Sequence, residues 1–159
     1  STADFLLYFL NQVRENYDYI IVDTQPTRDS MILSNALVAA DYVLIPMMCD
    51  SFSEDSAFRT YSICNELRKN PKTNLKGIGV ILTMVDKGAA TRETREECQR
   101  VLGPTLFKTE IPSALAVKTS VRRCVPVCYS AKTQPIGKSY VAAYKELKQR
   151  LEKLDKEEN

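Results

Sequence analysis

Residues Tyr17–Pro26 read YDYIIVDTQP. Tyr19 to Val22 form a continuous apolar run that leads straight into Asp23. An apolar run bounded by polar residues is the pattern of a strand buried on both faces, as in a parallel sheet. The stretch therefore predicts a strand over residues 18–23, with Asp23 at the carboxyl end of a central parallel strand. Open α/β sheets bind their ligands at that end. Thr24-Gln25-Pro26 then turns the chain into a loop before the next helix.

The pattern on either side agrees. Phe5, Leu6, Phe9, Leu10 and Val13 predict an amphipathic helix over residues 3–15. Residues 30–40 have small and apolar residues at helical spacing, and Tyr42 to Pro46 predicts a second buried strand stopped by its proline. Residues 51–69 predict a longer helix capped by Ser51 or Ser53 and ended by Asn70-Pro71. GIGVILT, within residues 76–83, predicts a third buried strand. Residues 91–102 predict a polar helix ended by Gly103-Pro104. A short fourth strand is expected at Leu106–Thr109, a turn of helix at 114–119, an edge segment at Val125–Tyr129 and a terminal helix at 139–154. Strands alternating with helices predict an α/β fold, a parallel sheet with helices on both faces. The chain of 159 residues fits one α/β domain.

Composition narrows the chemistry. With no histidine, His-based triads and His-ligated metals are excluded. A net charge of +2 is too mild to imply a nucleic-acid partner by itself. The five cysteines are odd in number and scattered, which predicts reduced thiols in a cytosolic protein. Cys124 and Cys128 flank Val125-Pro126-Val127 without further ligands nearby, so thiols are expected there rather than a metal site. No run is long enough to span a bilayer. The chain opens without Met, in the middle of a helical pattern, which suggests a piece of a longer protein.

Asp23 has two readings from its position alone. A carboxylate at a strand end can hold the water shell of a Mg²⁺ ion bridging nucleotide phosphates, as in P-loop NTPases. It can equally cap the following turn. Gly137-Lys138-Ser139 stands before a helix as a phosphate loop would. The motif wants a glycine where Lys132 stands, so a helix start is expected there.

A resemblance adds to these readings. YDYIIVDTQPT, MILSNALVAADYVLIPM, LKGIGVILTMVDK, FKTEIP and GKSYVAAYKELKQRL resemble, in order and spacing, blocks in the later two thirds of the ParA/MinD/Soj family of partitioning ATPases. The likeness runs from about Phe5 to Leu154. It implies a P-loop NTPase-like fold, incomplete because the first strand and the Gly-rich phosphate loop with its two lysines are not in this sequence. It implies that the chain is a portion of a larger ParA-like ATPase domain, with roughly another hundred residues upstream. It makes Asp23 the catalytic, metal-binding carboxylate and Thr24–Asp29, including Thr24 and Pro26, the segment that senses the γ-phosphate. The family's DTPP reads Asp23-Thr24-Gln25-Pro26 here. The adenine pocket is similar to the loops Thr83–Asp86, with Met84 and Asp86, and Ile111–Ala114, with Pro112 and Ser113. Ser113 and Ala114 replace the family's Arg and Asn, which leaves backbone contacts around Pro112.

The implied cofactors are ATP and Mg²⁺, and the implied partners are a second copy bound across ATP, non-specific DNA and a ParB-like activating protein. Lys118, Arg122 and Arg123, with no acid among them, are the expected DNA-binding cluster. Such contacts would be to phosphates and salt-sensitive. Arg92, Arg95 and Arg100 are instead expected to be balanced by Glu93, Glu96 and Glu97. The expected location is cytoplasmic, on the nucleoid when DNA-bound. The charged end KLDKEEN argues against the membrane-anchoring helix of the MinD branch. Without a phosphate loop, the chain alone is expected neither to bind ATP tightly nor to hydrolyse it. The alternative is a non-catalytic relative acting as a regulatory protein-interaction module.

Overall fold

The computed structural model describes residues 4–24 and 31–157. Contacts divide the chain into two compact units, Ser1–Val43 with Ser62–Gly77, and Leu44–Tyr61 with Ile78–Asn159.

In the first unit, helix α1 (Phe5–Val13) runs into a short 3₁₀ turn and packs on helix α2 (Met31–Ala39). The Leu6 N–H donates to Asn35 Oδ1 at 3.4 Å. Of the expected stripe on α1, Leu6, Leu10 and Val13 are half-buried, whereas Phe5 and Phe9 stay exposed. Ala36 and Leu37 of α2 are buried.

The predicted strand at 18–23 does not form. Residues 18–24 adopt no regular element, and Ile21 is 91% exposed. Apolar character makes a strand only where a neighbouring strand takes its N–H and C=O groups. Among the described residues nothing pairs with this run.

The sheet is built by β1 (Tyr42–Met48) and β2 (Gly77–Thr83). The arrangement is the expected α/β one, a parallel sheet with helices. Helix α3 (Ser51–Arg68) connects the two strands. All of β2 up to Leu82 is buried, as its unbroken apolar run requires. β1 continues through Pro46, contrary to the expected stop. β1 pairs only with β2 among the described residues, and an edge strand can place a proline where no ladder N–H is needed. Asp50, rather than Ser51 or Ser53, caps α3. Its carboxylate accepts the Ser53 N–H at 2.9 Å and the Ser53 hydroxyl at 2.8 Å.

Beyond β2, helix α4 (Ala89–Leu102) buries Thr91, Thr94, Cys98 and Leu102 on one stripe and ends at Gly103. Gly103 has φ +50°, a left-handed conformation that glycine adopts without a side-chain clash. The fourth strand expected at 106–109 is reduced to one isolated parallel bridge, Val80–Leu106, and a second, Val85–Pro112, follows it. Helices α5 (Leu115–Arg122), α6 (Val127–Ser130) and α7 (Pro135–Glu157) complete the second unit. The edge segment expected at Val125–Tyr129 is therefore helical from Val127. Pro126 sits at its N-cap, where its missing N–H is no loss.

α7 starts four residues earlier than the apolar periodicity predicted, at Pro135, the preferred first helical residue. Gly137-Lys138-Ser139 thus lies inside a helix. Gly137 is buried, and a Cβ built on it would stand 2.2 Å from the Ala131 carbonyl oxygen. The core of this unit is Ile81, Phe107, Ile111, Val127, Ala131 and Ile136, with Ala143 and Leu147 of α7 packed on it.

Candidate functional site

In the second unit the segments that leave β1, β2 and the bridge segment carry the polar side chains. The β2 exit is fixed by backbone bonds. Ile111 N–H donates to Leu82 O at 2.9 Å, Val85 N–H to Ile111 O at 3.0 Å and Ser113 N–H to Val85 O at 3.0 Å. The two loops expected to form a base pocket, Thr83–Asp86 and Ile111–Ala114, are thereby held side by side. Met84 has φ +53° and is 59% exposed. A left-handed methionine stores backbone strain, which persists only where the surroundings hold it. Here Val85, one residue on, is held by both of its ladder bonds.

Asp86 Oδ1 accepts the Gly88 N–H at 2.8 Å and the Thr91 hydroxyl at 2.5 Å. These bonds, that from Thr91 first, hold its carboxyl below the usual range. One oxygen of Asp86 therefore organises the start of α4. The other, Oδ2, faces no hydrogen-bond donor among the described residues. Arg95 on α4 grips Glu110 with both ends of its guanidinium, Nε to Oε1 at 2.6 Å and Nη2 to Oε2 at 2.9 Å. Arg95 is thus paired with Glu110, not with the glutamates of its own helix. Arg100 does pair with Glu97 as expected. The Cys49 thiol, just past β1, is pushed up by burial, with the Glu110 charge adding and the Arg95 charge opposing.

Sequence reading missed the Arg95–Glu110 fork and the Asp50 cap. The cap had a visible signal, an Asp one residue before the first helical residue. The fork had none, because its partners are fifteen residues apart on different elements.

Lys118 and Arg122 lie one turn apart on α5, and Arg123 closes that helix, its N–H donating to Thr119 O and Ser120 O. All three are exposed, and none makes an ion pair among the described residues. Asp23 belongs to the first unit, exposed on irregular chain, and Thr24 beside it is half-buried. Pro26 and most of the expected switch segment lie outside the described residues.

A family model described as an AAA domain matches residues 2–77. The sporulation initiation inhibitor protein Soj of Bacillus subtilis is 34% identical over 106 residues, covering 65% of this chain and 41% of Soj. The chromosome partitioning protein ParA of Myxococcus xanthus is 29% identical over 143 residues, covering 89% of this chain and 50% of ParA. In these matches the chain is similar to the ParA/MinD/Soj family. It spans about half the length of the curated relatives it matches. Among solved structures, that of apo McdA from Cyanthece superposes with a TM-score of 0.78 at 21% identity, covering 92% of this chain and 59% of McdA. That likeness shows a shared fold.

The fit of the family's cofactors to these residues is unequal. Among the described residues no group of three or more His, Cys, Asp or Glu side chains could hold a metal ion. Asp23 offers one carboxylate, which does not make a Mg²⁺ site by itself. The Met84–Asp86 and Pro112–Ser113 loops fit an adenine better. They supply a raised thioether side chain, an unspent carboxylate oxygen and a fixed backbone.

Proposed function

We propose that this chain is part of a ParA-like partition ATPase. In the intact protein, ATP and Mg²⁺ would drive dimerisation, the dimer would hold DNA without sequence preference, and a ParB-like protein would trigger release. In this reading the chain contributes Asp23 and Thr24–Asp29 to the γ-phosphate side. Met84, Asp86, Pro112 and Ser113 contribute the base side, and Lys118, Arg122 and Arg123 the DNA face. Its place is the cytoplasm, and no helix among the described residues is long and apolar enough to cross a membrane. Hydrolysis of this kind depends on positioning and charge stabilisation more than on a strong base.

The observation that supports the reading best is the parallel bridge Val85–Pro112. It juxtaposes two loops that are distant in sequence, at the end of the sheet where α/β proteins bind nucleotides. Met84 can cover one face of a purine, and Asp86 Oδ2 can accept from the exocyclic amine of adenine. Guanine presents a carbonyl there and would be repelled.

Amide spectra of the chain titrated with adenosine test this. Weak binding, on the order of a millimolar, is expected to move the signals of Met84–Asp86 and Ser113, and guanosine is expected to leave them in place. Adenosine shifts confined to other residues would overturn the base-pocket assignment. With ATP and Mg²⁺, calorimetry is expected to show no micromolar binding, because the sequence holds no phosphate loop.

A further inference from the structure

A groove of about 470 Å³ runs between α7 and the segment after the Val80–Leu106 bridge. Lys108, Thr109, Lys145, Gln149 and Lys153 contribute to its walls. Lys145, Gln149 and Lys153 recur every four residues, so they form one stripe along α7, with Lys108 facing them.

The floor is pre-organised. The Glu146 carboxylate accepts the N–H of Lys108 and of Thr109, each at 2.9 Å. Arg150 pairs with Glu146 at 2.9 Å, donates to the carbonyls of Pro104 and Leu106, and lies 4.2 Å over the Phe107 ring. Glu146 and Arg150 therefore spend their charges on each other and on the backbone. Three lysine charges are left on the walls. Lys108 and Lys145 make no ion pair among the described residues, and Lys153 has only an exposed contact with Glu157 at 3.7 Å, which is worth little in water.

We propose that this groove binds a polyvalent phosphate group. The chemistry of the walls selects that class. Lysine ammonium groups act as mobile point charges suited to phosphate, whereas the planar fork that would recognise a carboxylate, Arg150, is already committed. The groove presents no aromatic ring on which an unpaired base could stack. Apart from Ala142 it has no apolar side chain to anchor a peptide. Gln149, exposed between Lys145 and Lys153, adds an amide donor that a phosphate oxygen can accept. The phosphate could come from a free polyphosphate or from a duplex backbone. The site is separate from Lys118, Arg122 and Arg123, and it needs neither nucleotide nor a second copy.

The test titrates the full chain with tripolyphosphate, a 20-base-pair duplex or polyglutamate, as salt rises from 50 to 200 mM. Three phosphate contacts give a logarithmic salt slope of about −2.7, so duplex affinity should fall about 40-fold across that range. Lys145→Gln with Lys153→Gln should flatten this to about fourfold and should also weaken tripolyphosphate. Glutamine keeps the helix propensity, and circular dichroism checks that the fold is retained. Replacing Lys118, Arg122 and Arg123 by glutamine should leave tripolyphosphate binding unchanged.

Binding to both phosphate probes identifies a phosphate subsite. Binding to the duplex alone identifies a backbone-tracking groove. Equal binding of polyglutamate, equal affinities for the Lys145/Lys153 variant and the parent chain, or no binding at 50 mM salt would each overturn the proposal. If only the α5 variant loses duplex binding, the groove is refuted while the proposed partition function stands.

Discussion

Replacing Glu146 by alanine is expected to cost about 2–3 kcal/mol of stability. The side chain is 15% exposed and its partner Arg150 23% exposed, so water screens the pair only partly. The losses differ by group. The Thr109 N–H is half-buried and loses its acceptor, at about 1–2 kcal/mol, while the exposed Lys108 N–H is rehydrated at little cost. Arg150 keeps its carbonyl partners and the Phe107 ring, so its charge is not stranded, and the lost ion pair adds about 1 kcal/mol. Urea unfolding followed by circular dichroism should show the midpoint falling by about 1–2 M, given a slope of about 1.5–2 kcal/mol/M. A midpoint within about 0.3 M of the parent at an unchanged slope would show that water replaces the carboxylate, and the clamp argument would fail. The effect also has a pH signature. Burial pushes the Glu146 carboxyl up, but the N–H groups of Lys108 and Thr109 and the Arg150 charge outweigh it, so its folded value lies below 4.5. A depressed folded value means the contribution is complete above the unfolded value and is lost as pH falls through the folded one. The parent and the variant should therefore converge in stability only as pH falls through the depressed folded value of Glu146.

Gly137→Ala should lower the melting temperature by several degrees, even though alanine is the better helix former by about 1 kcal/mol. The new Cβ meets the Ala131 carbonyl at 2.2 Å and the Lys132 Cα at 3.0 Å, backbone atoms that cannot swing away. A variant as stable as the parent would refute this. Thiol titration of the folded chain should modify exposed Cys124 first. Cys64 and Cys98 should react only on unfolding, since burial pushes their thiols up to about 11 and about 12. Rapid modification of Cys98 in the folded state would contradict its packing on the inner stripe of α4.

Two near-identical sequence signals had opposite outcomes. GIGVILT and YIIV are both unbroken apolar runs. The first is the buried strand β2, and the second is exposed chain without a regular element. An apolar pattern says that a segment gains by burial, but it does not name the neighbour that covers it. The helices were legible because their periodicity and stop signals are local, as with Gly103 behind α4, although apolar periodicity places the start of α7 at Ser139 rather than at Pro135. At the candidate site, Asp86 and Pro112 are expected through resemblance, and the structure adds that the bridge Val85–Pro112 joins their loops. The strained turn at Met84, the Arg95–Glu110 fork and the Glu146–Arg150 clamp depend on contacts between distant segments, which no local pattern encodes.

The exposed run Tyr19–Val22 has a consequence for how the chain behaves at high concentration. It is uncharged, rich in aromatic and β-branched residues, and its backbone groups at 18–24 make no ladder among the described residues. Such a segment is a template for intermolecular strand pairing. It sets up a race between docking onto a complementary strand and addition to the same segment of another molecule. Docking is first order within one molecule, whereas self-addition grows with concentration. Dilution or a competing strand peptide is the direct way to keep the chain monomeric.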